Sequence, residues 1–165
     1  MQLDHHTSNF KIRKFPITLV CDNITSAANI GSIFRLADAF GVEKIIFSGT
    51  EPTFSRRTEK TARATHKIIP FEFIEDSIST VLDLKKNGHL ILALEITTNS
   101  IPIQHLKITG EQPIVLILGN ENFGVSQNFI EIADSICHIE MFGNNSSMNI
   151  AQATGICLYE LTKYL

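Results

Sequence analysis

Ile114-Val115-Leu116-Ile117-Leu118-Gly119-Asn120-Glu121-Asn122-Phe123-Gly124-Val125 decides how this 165-residue chain reads. Five apolar residues, three of them β-branched, make a short run that suits a strand buried on both faces. The run then breaks into glycine, asparagine and glutamate. Such residues permit positive φ, offer amide groups and let a ligand come close to the backbone. In parallel α/β sheets, ligands sit in the loops after the carboxyl ends of strands.

The same form recurs on either side. Ile17-Thr18-Leu19-Val20-Cys21 predicts a buried strand. From about Ala27 to Phe40, the residues Ile30, Phe34, Ala37 and Phe40 make one apolar helix face, and Gly41 ends it. Lys44 to Ser48 predicts the next strand. Glu51 to Lys67 is polar and basic, a loop carrying a short helix, and Ile68 to Ile74 predicts a short strand interrupted by Pro70. Ser77 can cap a helix to about Asn87, and Ser126 a short one to about Asp134. His89 to Ile96 and Cys137 to Met141 predict strands, and Asn149 to Leu165 a closing helix. Strands separated by helices argue for an α/β fold with a mostly parallel sheet and helices on both faces.

The loops to inspect therefore follow Cys21, Ile96, Leu118 and Met141. Three of them are rich in Gly, Asn and Ser: Asp22 to Gly31, Gly119 to Val125 and Phe142 to Asn149. They read either as plain turns or as one shared ligand site, and three in one small domain favour the site.

Bulk properties narrow the class. The length fits one domain, 1–165, with 1–15 as a short N-terminal extension, and the hydrophobic share of 44% is enough for a core. No apolar run approaches the ~18–20 residues that span a bilayer. The start, Met1 to His6, lacks the pattern of a secretory signal. Cys21, Cys137 and Cys157 are far apart and odd in number, which reads as reduced core thiols of a cytoplasmic protein. The histidines show no ligand spacing, so no metal is expected; the His5-His6 pair is a weak lead. Net charge is −3, yet residues 1–67 carry 10 Lys+Arg against 6 Asp+Glu and residues 68–165 carry 4 against 11. A basic face on an acidic protein can hold a phosphate backbone, and surface scatter is the competing reading.

In their order, these loops resemble the three signature motifs of the SpoU/TrmH family of SPOUT-class RNA methyltransferases. The first is Asn29-Ile30-Gly31-Ser32-Ile33-Phe34-Arg35 with Ala39-Phe40-Gly41-Val42. The second is Leu116 to Val125, and the third runs from Ile139-Glu140-Met141 through Ser147-Met148-Asn149-Ile150-Ala151-Gln152-Ala153. The resemblance covers about Phe15 to Leu165. It implies a deep C-terminal trefoil knot, an exception to the rule against threaded chains. It also implies S-adenosylmethionine as methyl donor, a homodimer with the site near the subunit boundary, and transfer to a ribose 2′-hydroxyl.

Carried over by position, the adenosyl pocket is Leu94, Glu95, Gly119, Ile139, Met141, Ser147 and Met148. The catalytic set is Arg35, Asn29, Glu121, Ser147 and Asn149. A guanidinium has no acceptor lone pair, so Arg35 is expected to hold a phosphate and the hydroxyl while the proton passes to a phosphate oxygen or water. Asn29 is expected to orient Arg35 or the ribose, or to cap its helix. Glu121 is expected to pair with Arg35 or to shape its loop. Ser147 is a candidate cap for the last helix, and Asn149 a contact to the arginine or the ribose.

Arg56, Arg57, Lys60, Arg63 and Lys67 form the densest basic stretch, with no aromatic residue among them, which predicts phosphate contacts. The family pattern often has glycine near Thr61-Ala62-Arg63-Ala64, and this chain has none there. Apolar residues on several sides of the last helix, Ile150, Ala153, Ile156, Cys157, Leu158, Tyr159 and Leu161, suit either a dimer or full burial within one subunit. A tRNA substrate is favoured over rRNA. The competing classes are a catalytically idle RNA-binding member of the fold, and a dinucleotide oxidoreductase. The latter lacks a G-x-G-x-x-G after its first strand.

Overall fold

The computed structural model describes residues 10–110 and 112–165. The His5-His6 pair and most of the expected N-terminal extension lie outside the described residues. The strands are β1 (Phe15–Asp22), β2 (Val42–Ser48), β3 (Phe71–Ile74), β4 (Leu90–Leu94), β5 (Ile101–Pro102), β6 (Ile114–Leu118) and β7 (Ser135–His138). The helices are α1 (Ala27–Ala39), α2 (Arg56–Ala62), α3 (Ile78–Lys86), α4 (Gln127–Ile132) and α5 (Ile150–Leu161).

The seven strands form one sheet in the order β3-β2-β1-β6-β4-β7-β5, and every pairing between them is parallel. Alternate residues of each strand feed opposite faces, as the pleat requires. Ile17, Leu19 and Cys21 of β1 and Leu116 and Leu118 of β6 pack with Ile30, Phe34, Cys157 and Leu158, beneath α1 and α5. Val20 of β1 and Val115 and Ile117 of β6 pack with Val81 and Phe129, beneath α3 and α4. Two cores, one per face, explain why the central strands read as unbroken apolar runs rather than alternating ones.

β1 leads outward to β2 and β3 on one side, while β6, β4 and β7 lie on the other. The reversal falls between β1 and β6. In open α/β sheets ligands bind outside the carboxyl ends of the strands.

Several expected boundaries and caps differ. The fourth strand stops at Leu94, so Glu95 and Ile96 belong to a loop, and the seventh spans 135–138 rather than 137–141. The last helix ends at Leu161. Ser77 sits at the N-cap of α3, but its buried hydroxyl has no partner among the described residues, and Asp76 Oδ1 accepts from Ile78 N at 3.1 Å instead. Ser126 precedes α4 without a side-chain cap bond.

Candidate active site

A cavity of about 820 Å³ opens at the carboxyl ends of β4, β6 and β7. That volume lies within the range of small-ligand sites, ~300–1,000 Å³. Leu94, Glu95, Gly119, Ile139, Met141, Ser147 and Met148 all line it, and so do Glu121 and Asn149. The strand ends bring together four segments that are far apart in the sequence.

The loop after β6 is the most tightly held of them. Glu95 accepts from Ile96 N with Oε1 and from Val125 N with Oε2, both at 2.8 Å. Asp22, at the end of β1, accepts from Ser126 N at 2.7 Å. Consecutive amides of the loop are therefore gripped by carboxylates from the strands on either side of β6. Hydrogen bonds to a charged acceptor are worth ~1.5–3 kcal/mol each. Asn120 and Gly124 exchange backbone bonds at 2.9 Å, closing a tight turn. Gly124 has φ +71°, and a side chain there would collide with the Glu95 carboxylate, so the turn requires glycine. Asn120 also donates from Nδ2 to Asn23 O at 2.6 Å, tying the loop to β1.

A second set of bonds links the three motif loops. Asn149 Nδ2 donates to Asn29 Oδ1 at 2.9 Å, and Asn29 Nδ2 donates to Glu121 Oε1 at 2.8 Å. Asn149 Oδ1 accepts from Ala151 N and Gln152 N, so Asn149, not Ser147, caps α5. Each amide thus has one orientation, and the chain of bonds ends on the Glu121 carboxylate. Asn29 is 7% exposed and lies inside α1, whose cap is Ser26.

Within one chain, Asn29 does not cap its helix, and its amide bonds Glu121 and Asn149 rather than Arg35. Glu121 forms no ion pair with Arg35 among the described residues. Six residues of α-helix turn Arg35 about 120° away from Asn29 around α1. Arg35 is exposed and outside the cavity lining. It stands next to Leu36, which packs against Gly155 of α5.

The electrostatics of the site are anionic. Asp22, Glu95 and Glu121 converge at the strand ends, and none is ion-paired among the described residues. Burial first, then the Glu121 and Asp22 carboxylates, pushes the Cys21 thiol well above its usual range, so it stays protonated beneath the site. A cavity walled by apolar Leu94, Ile139 and Met148 with carboxylates at its edge fits an adenosyl group carrying a cationic sulfonium. Among the described residues no group of three or more His, Cys, Asp or Glu gathers to hold a metal ion.

The basic stretch lies on α2 and the turn after it. Ser55 caps α2 by accepting from Thr58 N at 3.3 Å. Arg56, Arg57, Lys60, Arg63 and Lys67 are all exposed and enter no ion pair among the described residues. α2 packs against α1 where Gly31 meets Thr58 and Thr61, close in sequence to Asn29. Asp22 and Asn120 were not singled out in advance. The usable signal for Asp22 is a carboxylate closing an otherwise buried strand; Asn120 shows its role only once the turn is folded.

A parallel α/β domain with a cavity at the carboxyl ends of its strands defines a class of small-ligand binders. Known proteins narrow it. Residues 16–159 match the SpoU rRNA Methylase family, and the chain belongs to that family. The tRNA (guanosine(18)-2′-O)-methyltransferase of Aquifex aeolicus (strain VF5) is 32% identical over 148 residues, 90% of this chain and 69% of that protein. The crystal structure of the A. aeolicus TrmH/SpoU tRNA modifying enzyme matches with a TM-score of 0.83 at 30% identity, covering 93% of this chain and 77% of that one. An AdoMet-bound rRNA methyltransferase from Sinorhizobium meliloti matches with a TM-score of 0.78 at 26% identity, covering 95% of this chain and 59% of that one. The chain therefore spans about three fifths of the length of the latter enzyme.

Proposed function

We propose that this protein methylates a ribose 2′-hydroxyl of RNA, with S-adenosylmethionine as donor and tRNA favoured over rRNA as substrate. The observation that carries the reading is the cavity itself. Residues of the second and third motif loops line it, and Asn29 of the first bonds to Glu121 and Asn149 at its edge. The tRNA preference is supported by the larger share of the A. aeolicus tRNA enzyme that the chain matches, 69% against 60% of the 23S rRNA enzyme of Haemophilus influenzae.

S-adenosylmethionine supplies an electrophilic methyl group on a sulfonium. The walls formed by Leu94, Gly119, Ile139, Met141 and Met148 hold the adenosyl portion, and Ser147 offers a hydroxyl at its edge. Glu95 contributes backbone groups, since its carboxylate is occupied by the loop amides. Glu121, whose Oε1 accepts from Asn29, would offer its second oxygen to the sulfonium or to the ribose hydroxyl. Arg35 would hold a phosphate and the 2′-hydroxyl, so that the hydroxyl proton passes to a phosphate oxygen or water while the methyl carbon leaves the sulfonium as S-adenosylhomocysteine departs. Because Arg35 lies outside its own cavity, the complete site draws on a second copy of the chain. The exposed residues Ile156 and Tyr159 of α5, 41% and 58% exposed, sit on the helix next to Arg35 and supply the apolar surface of that homodimer. The exposed cations of α2 hold the RNA backbone. The knotted chain path belongs to the same reading, as does a cytoplasmic location, consistent with three free thiols. Among the described residues no helix is long and apolar enough to cross a membrane.

The test is transfer of labelled methyl from S-adenosylmethionine to small RNA, followed by nuclease digestion and identification of the labelled nucleoside. A 2′-O-methylated nucleoside is expected. Cofactor binding without transfer to tRNA or rRNA would favour the idle RNA-binding alternative. Arg35→Ala should bind S-adenosylmethionine as the parent does and lose more than about 100-fold in kcat, the scale of a group that stabilises only the transition state. Undiminished turnover would remove Arg35 from catalysis.

A further inference from the structure

We infer that Phe123 is a base-stacking residue, holding the base of the nucleotide being methylated at the mouth of the cavity; this rests on the RNA reading above. Phe123 is 89% exposed and at the same time lines the cavity. An exposed phenylalanine ring gains nothing from the protein's own core. Its backbone is nevertheless fixed. Phe123 N donates to Asn120 Oδ1 at 3.2 Å, the Asn120–Gly124 bonds close the turn around it, and Glu95 and Asp22 grip the residues that follow. The molecule thus displays an aromatic ring from a rigid turn at the entrance to its reaction cavity.

The surroundings select the occupant. Asn120, Glu121 and Asn122 precede the ring, and Ser126, Gln127 and Asn128 follow closely. A subunit interface wants contiguous apolar surface, such as Ile156 and Tyr159 provide, whereas Phe123 is set in a polar loop and, among the described residues, Ile96 is the one other exposed large hydrophobic lining the same cavity. The neighbouring Glu121 carboxylate repels phosphate, so the part of an RNA that settles on this ring is a neutral base. Presenting a 2′-hydroxyl to the cavity draws a nucleotide out of its stack, and an aromatic face replaces the stacking it loses. Every base has such a face, so Phe123 adds affinity without reading sequence.

The experiment measures methyl transfer to a pool of unmodified tRNA transcripts by wild type, Phe123→Ala, Phe123→Leu and Phe123→Tyr. Calorimetry with S-adenosylmethionine and sedimentation of each protein accompany it. Stacking predicts that Ala and Leu raise KM for RNA by about ten-fold or more, on the scale of one stacked base, while Tyr retains the wild-type value. Cofactor affinity and sedimentation should be unchanged throughout. The Leu variant decides between stacking and simple apolar contact, since it keeps the greasy surface and loses the ring. Unchanged KM in Phe123→Ala, full activity in Phe123→Leu, or a shift in oligomeric state in Phe123→Ala would each overturn the inference while leaving the methyltransferase reading intact. A wild-type protein that neither methylates nor binds the tRNA pool or rRNA would sink both.

Discussion

Arg63 and Ala64 occupy the left-handed region one after the other, with φ of +48° and +67°. They end α2 and start the turn to β3, at the place where glycine is common in the family pattern. A Cβ in this region costs ~1–2 kcal/mol, and glycine gives back part of that through its looser unfolded state. Ala64→Gly should therefore stabilise the protein by about 1 kcal/mol, read as a raised urea midpoint with an unchanged slope. A lowered midpoint would show that the turn is not strained. The same scale governs Asn29. Its amide is the donor to Glu121, and Asn29→Asp sets a carboxylate against the Glu121 carboxylate at the 2.8 Å contact. A folded protein with turnover down by about 100-fold is expected, the scale of ~3 kcal/mol for a broken charge-assisted bond plus repulsion. Thermal melting separates misfolding from a misplaced carboxylate, and normal turnover would mean that Glu121 needs no aiming. The partners of Asn29 could not be read in advance, because they lie 92 and 120 residues away along the chain.

Among the elements, α2 is a short helix made almost wholly of surface. Only Thr58 and Ala62 are buried, and they fasten it to α1. Its cations have no ion-pair partner among the described residues, so neutralising Arg56, Arg57 and Lys60 together should weaken RNA binding and lower the slope of log affinity against log salt by up to about three counterions. Filter binding at several salt concentrations measures it, and an unchanged slope would move the RNA face elsewhere. The basic run was legible as a sequence of charges. Its value as a surface depended on α2 docking beside the motif loop of α1, through Gly31. The helix caps show the converse. Serines at 77 and 126 stood in cap positions by pattern, yet Asp76 and Asp22 supply the carboxylates that bind the first amides there. A side-chain oxygen two or a hundred residues away competes on equal terms once it is brought near, and only the fold brings it near.

At the scale of the whole molecule, the two-faced core protects two thiols that titrate differently folded and unfolded. Burial, then the Glu121 and Asp22 carboxylates, raises Cys21, and a hydrogen bond with Cys137, then burial, raises Cys157. Their ordinary value is 9.0. Above it the unfolded chain releases protons that the folded protein keeps. The stability these thiols contribute is complete below pH 9 and is lost as pH rises further, by up to about 1.4 kcal/mol per pH unit for each. Urea midpoints at several pH values above 9, in reductant, should fall more steeply for wild type than for Cys21→Ala. Identical slopes would show that Cys21 ionises freely in the folded protein.

The sequence by itself determined the class of this molecule: an α/β domain with buried parallel strands, loops of Gly, Asn and Ser at strand ends, and a basic stretch after the second strand. These are local properties. Apolar runs, helix periodicity and turn residues act within a few residues of one another, so they survive in the order of the letters. Tertiary structure alone decided that β6 lies between β1 and β4, that Asp22 and Glu95 grip its loop from both sides, that Asn149 reaches Glu121 through Asn29, and that Arg35 faces away from them. Strand order and side-chain partners are set by which faces bury one another across the sheet. That burial depends on the whole chain at once, and no short stretch of it carries the answer.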